Sequence, residues 1–123
     1  MDIKDMMKFK NWIVIGDVVT EGKYANKILN RFKEKGYRVS GVSHKTGENV
    51  YDCIEKVPFN IEAIDLCVNP KYGINYLKEA KELGIKYVLI QPGAESEEIL
   101  SYCKENNILA IENCALVQLA NIK

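Results

Sequence analysis

The segment of residues 16–22, Gly-Asp-Val-Val-Thr-Glu-Gly, has residue types that can surround a phosphate group. It follows an apolar run and leads into a predicted helix, whose free backbone N–H groups favour an anion. An ordinary turn between a strand and a helix explains the two glycines equally well. The segment lacks a complete G-x-G-x-x-G motif and a Walker lysine, and Asp17 and Glu21 repel an anion unless they turn outward.

A second polar segment, Ser43-His44-Lys45, follows the second predicted strand. Enzymes that use a dinucleotide usually carry Asp or Glu at this place to bind the ribose hydroxyls. The absence of a carboxylate argues against NAD, whereas these three side chains offer donors and positive charge to a phosphate or a 3′-phosphorylated ribose. A solvated polar loop explains the same composition.

Two proline turns, Asn69-Pro70 and Gln91-Pro92-Gly93, follow later predicted strands. Such rigid turns either present backbone groups to a ligand or simply end a strand. Cys114 follows the last predicted strand, where its thiol is either a core group or a ligand-facing one.

The composition is that of a globular protein without a strongly charged surface. Of 123 residues, 47% are hydrophobic and 28% are charged, and 17 basic residues balance 17 acidic ones. Zero net charge argues against a nucleic acid or an anionic membrane as the main partner. No apolar run is long enough to cross a bilayer, and residues 1–10 do not resemble a signal peptide, so we expect a cytoplasmic protein.

The cysteines and the single histidine, His44, argue against several kinds of site. Cys53, Cys67, Cys103 and Cys114 form no C-x-x-C pair, so we expect reduced thiols, three of them buried. With one histidine in the chain, the sequence favours neither a metal site nor a catalytic Cys–His pair.

Strand-like and helix-like segments alternate along the chain. Short strand-like segments, the first of them a continuous apolar run, predict five strands, at residues 12–15, 37–42, 64–68, 87–90 and 108–111. Apolar positions at helical spacing predict helices from residue 23 to Gly36, from residue 69 to Gly84 and over residues 95–106, and a last segment at 113–119 follows the fifth strand. Residues 50–57 predict a short extended piece and then a turn of helix.

This alternation predicts an α/β fold, a single Rossmann-like, doubly wound domain over residues 1–123 with residues 1–10 as an N-terminal extension. We expect a mainly parallel, five-stranded sheet with helices on both faces. In such a sheet, ligands bind beyond the carboxyl ends of the strands, where the strand order reverses. The two polar segments and the two proline turns are therefore expected to line one cleft.

Taken in order, these motifs resemble those of the small CoA-binding proteins. Those proteins are stand-alone Rossmann domains similar to the N-terminal domain of the succinyl-CoA synthetase alpha subunit. The resemblance covers nearly the whole chain after Asn11. It rests on residues 23–32, 35–39, 42–45, 64–70, 89–94 and 112–114.

The resemblance implies that CoA or acyl-CoA lies along the strand ends, with its diphosphate near Gly16. It also implies that Lys23 and Lys45 meet the phosphates and that the proline turns line the rest of the cleft. The phosphohistidine of the synthetase belongs to a domain with no counterpart in this sequence, so His44 does not inherit that role. The implied binding residues are Gly16, Asp17, Val18, Lys23, Tyr24, Val42, Ser43, His44, Lys45, Asn69, Pro70, Gln91, Pro92 and Gly93.

We therefore expect a non-catalytic protein that binds CoA or acyl-CoA, a small-molecule nucleotide ligand. An NADP-type oxidoreductase is an open alternative, because Lys45 can also take a 2′-phosphate. A regulatory protein with a degenerate cleft is another, because Asp17-Val18 and Ser43-His44 replace the Ala-Ser and Asn-Pro pairs usual in that family. A monomer and a homodimer are both compatible with the sequence.

Overall fold

The core of the fold is a parallel sheet of six strands. The computed structural model describes residues 1–122 and contains strands β1 (Asn11–Gly16), β2 (Arg38–Val42), β3 (Val50–Tyr51), β4 (Ala63–Cys67), β5 (Tyr87–Ile90) and β6 (Leu109–Glu112). The strands lie in the order β3-β2-β1-β4-β5-β6, and each neighbouring pair is parallel. This is the strand order of a Rossmann fold, which confirms the predicted α/β class.

The sheet has one strand more than the five that the sequence predicts. The extra strand, β3, is an edge strand of 2 residues that pairs with Gly41 and Val42 of β2. A piece this short carries no alternation of polar and apolar residues, so its sequence predicts only an extended segment. The helical turn expected after it is present as a 3₁₀ helix at Ile54–Lys56.

Helices cover both faces of the sheet, as predicted. They are α1 (Ile3–Met6), α2 (Tyr24–Glu34), α3 (Pro70–Glu82), α4 (Glu97–Glu105) and α5 (Ala115–Ala120). One core lies under α3 and α4, and a second core lies under α1, α2 and α5. Because successive side chains of a strand point to opposite faces, Ile13 and Ile15 belong to the first core, whereas Trp12 and Val14 belong to the second.

The helix ends follow from local capping. Helix α3 begins where Asn69 accepts a hydrogen bond from the backbone N–H of Lys71 at 2.9 Å, with Pro70 in the first turn. Helix α4 begins at Glu97, two residues later than predicted, because the Ser96 hydroxyl accepts a hydrogen bond from the Ile99 N–H at 3.1 Å.

The segment predicted as an N-terminal extension is packed against the second core. An Asp2–Asp5 capping box starts α1, and Met6 and Met7 are buried. The Trp12 indole N–H donates to the carbonyl oxygen of Phe9 at 2.9 Å, which ties this segment to β1. None of the helices within residues 1–122 is long and apolar enough to span a bilayer.

The prediction of three buried cysteines is wrong. Cys103 is buried under α4, whereas Cys53, Cys67 and Cys114 are half-buried. Cys67 ends β4 and Cys114 precedes α5, so both lie at the rim of the sheet rather than in its interior.

Candidate functional site

The sequence predicts the binding cleft at the carboxyl ends of the central strands. The strand order reverses between β1 and β4, where Gly16 is paired with Cys67. This reversal opens a crevice in Rossmann folds, and it brings the loop after β1 beside the loop after β4. The loop after β2 flanks β1 on the other side.

Gly16 allows the loop after β1 to pass very close to β4. Its φ is +152°, and a Cβ atom there would lie 2.2 Å from the carbonyl oxygen of Cys67 and 3.1 Å from Cβ of Ala25 in α2. Glycine is therefore required by two features at once, the positive φ and the close contact. The loop leaves the sheet at the strand-order reversal because no side chain fills this place.

Asp17 and Lys45 join the loops after β1 and β2 by an ion pair, called here the Asp17–Lys45 pair. Lys45 Nζ lies 2.8 Å from Asp17 Oδ2 and 2.7 Å from Thr20 Oγ1. The backbone N–H of Thr20 donates to Asp17 Oδ1 at 3.0 Å. The hydrogen bond from Lys45 and the one from the Thr20 backbone hold the pKa of Asp17 well below its usual range.

Val18 and Val42 form the apolar support of this site. Both side chains are buried, and Val18 packs so closely on Gly41 that a Cβ atom there would lie 2.5 Å from Val18 Cγ2. The Val18 N–H donates to the carbonyl oxygen of Gly16 at 2.9 Å. These two predicted site residues therefore shape the loop from below.

Lys23 and Tyr24 lie at the beginning of α2. Lys23 occupies the N-cap position and is exposed, and the Tyr24 side chain is also exposed. The neighbouring Cys114 thiol is the main reason that the pKa of Tyr24 is raised, with a smaller effect from Cys67. The start of α2 therefore lies beside the end of β4 and the start of α5.

Ser43 and His44 differ in how they meet the cleft. Ser43 is buried, and its hydroxyl accepts a hydrogen bond from the Lys45 N–H at 3.2 Å. His44 is exposed, and its Nε2 lies 3.4 Å from the hydroxyl of Tyr76 in α3. Two adjoining cavities of about 190 and 260 Å³ both include His44 and Asp52. The first lies against α3, and the second lies beside β3.

The two proline turns line a third cavity, between β4 and β5. This cavity of about 200 Å³ includes Asn69 and Gln91 and the apolar side chains of Val68, Pro92 and Ala94. Gly93 donates its N–H to Glu95 Oε2 at 2.8 Å, so this backbone donor is satisfied within the turn.

Gln91 joins two elements beneath the cleft. Its side-chain amide is buried, donates to Asp65 Oδ1 and accepts the N–H of Ala115 at 3.2 Å. Gln91 therefore fixes the start of α5 relative to β4, and its side chain lies in the floor of the cleft rather than at its surface.

Asp65 is the residue that sequence reasoning missed. It lies in the middle of β4, is fully buried, and its Oδ2 has no hydrogen-bond partner within residues 1–122. Burial raises the pKa of Asp65 to about 8, against the opposing effect of the Gln91 hydrogen bond. The signal was visible as one acidic residue inside the apolar run Ile64-Asp65-Leu66.

The largest of the described cavities lies elsewhere, near the amino ends of β1 and β2. It measures about 370 Å³, and Met7, Tyr37, Ile122 and several lysines line it. None of the fourteen residues predicted to bind CoA contributes to it. The three smaller cavities described above lie along the loops after β2, β4 and β5, and residues 16–24 line none of them.

The family model for a CoA binding domain matches residues 10–120 of the chain. The chain belongs to this CoA-binding domain family. The match includes every predicted site residue and gives the chain a CoA-binding role in general terms. It confirms the family resemblance inferred from the motifs. No protein of curated function matches the sequence.

Several solved structures share the fold. A conserved hypothetical protein from Pyrococcus furiosus is 31% identical, with a TM-score of 0.82 over 89% of this chain and 99% of that protein. A hypothetical protein from Pyrococcus horikoshii OT3 is 23% identical, with a TM-score of 0.87 over 97% of this chain and 87% of that one. A Thermus thermophilus protein at 17% identity covers both chains completely with a TM-score of 0.83. At such identities the last two show the fold alone.

Proposed function

We propose that this member of the family is a non-catalytic protein that binds CoA or acyl-CoA at the carboxyl ends of β1, β2, β4 and β5. The observation that carries the proposal is the meeting of the two predicted phosphate loops. Lys45, from the loop after β2, reaches the loop after β1 with its ammonium group. A ligand phosphate at this junction has a cation and the glycine loop on the same side.

The rest of the cleft suits the remaining parts of CoA. The diphosphate lies along the Gly16 loop, near exposed Lys23 at the start of α2. The pantetheine arm, with an acyl group where one is present, runs toward the cavity between β4 and β5, where Val68, Pro92 and Ala94 offer apolar surface. Most small-molecule sites combine such apolar walls with a few polar groups.

The chemistry of the site supports binding without catalysis. The sole histidine, His44, contacts the Tyr76 hydroxyl rather than a thiol. Burial raises the pKa of Cys67 to about 12, with smaller contributions from Asp65 and Cys114, so this thiol stays protonated near neutral pH. The four cysteines are free thiols, which supports a reducing compartment such as the cytoplasm.

Titration calorimetry of the whole chain with CoA, acetyl-CoA and NADPH tests the proposal. We expect saturable heat with CoA and with acetyl-CoA, and no heat with NADPH. We also expect that acetyl-CoA releases no free thiol on long incubation with the protein. Lys45→Gln is expected to weaken CoA binding, because it leaves the Asp17 carboxylate uncompensated beside the ligand phosphates. Lys104→Gln, which removes an equal charge from the last turn of α4, is the matched control. Absence of heat with millimolar CoA contradicts the proposal, and saturable binding of NADPH alone favours the dinucleotide alternative.

A further inference from the structure

The ammonium group of Lys45 is already occupied by oxygen atoms of its own chain. Asp17 Oδ2 and Thr20 Oγ1 lie 2.8 and 2.7 Å from Lys45 Nζ. Asp17 and Lys45 are 28 positions apart in sequence, so the contact joins two separate loops rather than neighbours on one element. A lysine ammonium has three donors, and two of them are used here.

The geometry points to a competition between Asp17 and the ligand. A phosphate oxygen that approaches Lys45 either replaces Asp17 Oδ2 or takes the third donor beside it. In both arrangements the ligand phosphate and the Asp17 carboxylate lie close to one another, and like charges at such short range repel. Asp17 therefore acts against the phosphate that the loop would otherwise favour.

The pair is built so that a ligand can displace it. Its two side chains are 56% and 27% exposed, and ion pairs that water can reach contribute little stability. Asp17 also keeps its second oxygen on the Thr20 N–H, so the carboxylate stays in place when Lys45 leaves. Because Asp17 stays ionised, its protonation does not open the pair in the neutral range.

We propose that Asp17 is a specificity-determining residue that withholds Lys45 from the ligand and thereby weakens the recognition of a terminal phosphate. This inference rests on the proposed function, and it assigns Lys45 to the 3′-phosphate of CoA. It follows that the wild-type chain distinguishes CoA only weakly from dephospho-CoA, which lacks the 3′-phosphate. Removing the charge of Asp17 turns Lys45 into a strong phosphate ligand.

The test compares wild type with Asp17→Asn, which keeps the oxygen acceptor for the Thr20 N–H and loses only the charge. Calorimetry uses three probes, namely CoA, dephospho-CoA and inorganic phosphate. We expect CoA and phosphate to bind about tenfold more tightly to the variant, because a unit charge about 4 Å away is worth fivefold or more even at the dielectric constant of water. We expect dephospho-CoA, which keeps the diphosphate and lacks the 3′-phosphate, to gain less than CoA does, so that the ratio of the two affinities rises in the variant.

Two further variants separate this explanation from a general change in charge. Glu34→Gln makes the same charge change and releases Arg31 from a 3.2 Å ion pair near the C-terminal end of α2, so it should leave all three affinities unchanged. Adding Lys45→Gln to Asp17→Asn should abolish the gain. Asp17→Ser retains a short acceptor near the Thr20 N–H and serves as the second uncharged variant if Asp17→Asn does not fold.

The outcomes distinguish this inference from the proposed function. If CoA binds the wild type and neither uncharged variant binds CoA or phosphate more tightly, the competition is overturned and the proposed function stands. If CoA binds no variant but phosphate binds Asp17→Asn more tightly, the competition stands and CoA is the wrong ligand. If neither the wild type nor the folded uncharged variants bind CoA or phosphate, both proposals fail.

Discussion

Replacing Asp65 by asparagine should change how the stability of the protein depends on pH. The carboxyl group is fully buried in β4, and only Oδ1 has a partner, the Gln91 amide. Asparagine has nearly the same shape and keeps an oxygen for that amide, but it does not titrate. Any pH dependence that is lost in the variant therefore belongs to Asp65.

The magnitude follows from the two pKa values of Asp65. Its ordinary pKa of 3.8 applies to the unfolded chain, and burial raises the pKa to about 8 in the folded protein. Between these values the folded chain holds a proton that the unfolded chain has released, so stability falls as the pH rises. This difference of one bound proton makes the equilibrium constant for unfolding tenfold larger for each pH unit. The free energy of unfolding therefore falls by about 3 kcal/mol between pH 5 and pH 7.

Urea unfolding at pH 5, 6, 7 and 8, followed by Trp12 fluorescence and by circular dichroism, measures this effect. The free energy of unfolding of the wild type minus that of Asp65→Asn should fall across this range and become constant above pH 8. The contributions of other titrating groups cancel in this difference of free energies. If the asparagine amide lacks a hydrogen-bond partner, it changes the difference by the same amount at every pH. A difference that does not vary with pH would show that Asp65 is ionised in the folded protein, and the reasoning from burial would be refuted.

Three other predictions concern close contacts and burial. Gly16→Ala should destabilise the fold by about 2 kcal/mol or more, because a Cβ atom at this positive φ lies 2.2 Å from a carbonyl oxygen; a urea midpoint equal to that of wild type contradicts this. Gly41→Ala should lower the free energy of unfolding by about 1–3 kcal/mol, because its Cβ atom would lie 2.5 Å from Val18 Cγ2. In a double-mutant cycle, Val18→Ala should recover part of this loss, whereas strict additivity of the two substitutions would contradict the close contact. Cys67, with its pKa raised to about 12, should react with iodoacetamide at pH 8 at least about tenfold more slowly than Cys53, as followed by peptide mass spectrometry; faster labelling of Cys67 contradicts its burial.

Most of the fold could be predicted because its signals are local. Strands β1 and β5 are short apolar runs, β4 is apolar except for Asp65, and glycine or proline marks the end of several helices and strands. The start of α3 was predicted from Asn69-Pro70, whose capping geometry depends only on adjacent residues. The exceptions include the short helix α1 and the two-residue strand β3, which exists only because β2 offers it a free edge. Helix α4 is another, because the Ser96 cap makes it begin two residues after the predicted Glu95.

The site was predictable as a set of loops but not as a set of contacts. The position of each loop follows from the strand before it, and parallel strands bring those loops to one edge. The Asp17–Lys45 pair depends on how two loops lie side by side, and no local pattern encodes that. The same holds for Asp65, whose raised pKa depends on its complete burial in the folded sheet and is opposed by the hydrogen bond from Gln91, the residue after β5.

The central claim is that CoA binds at the carboxyl ends of the strands, and amide chemical-shift mapping of the ¹⁵N-labelled whole chain with CoA tests it most directly. We predict saturable shifts in the loops at residues 16–24, 43–46, 69–73 and 91–94. The larger cavity beside Met7 and Tyr37 serves as the internal control and should stay unshifted. Shifts confined to that cavity, or no shifts with millimolar CoA, would contradict the account.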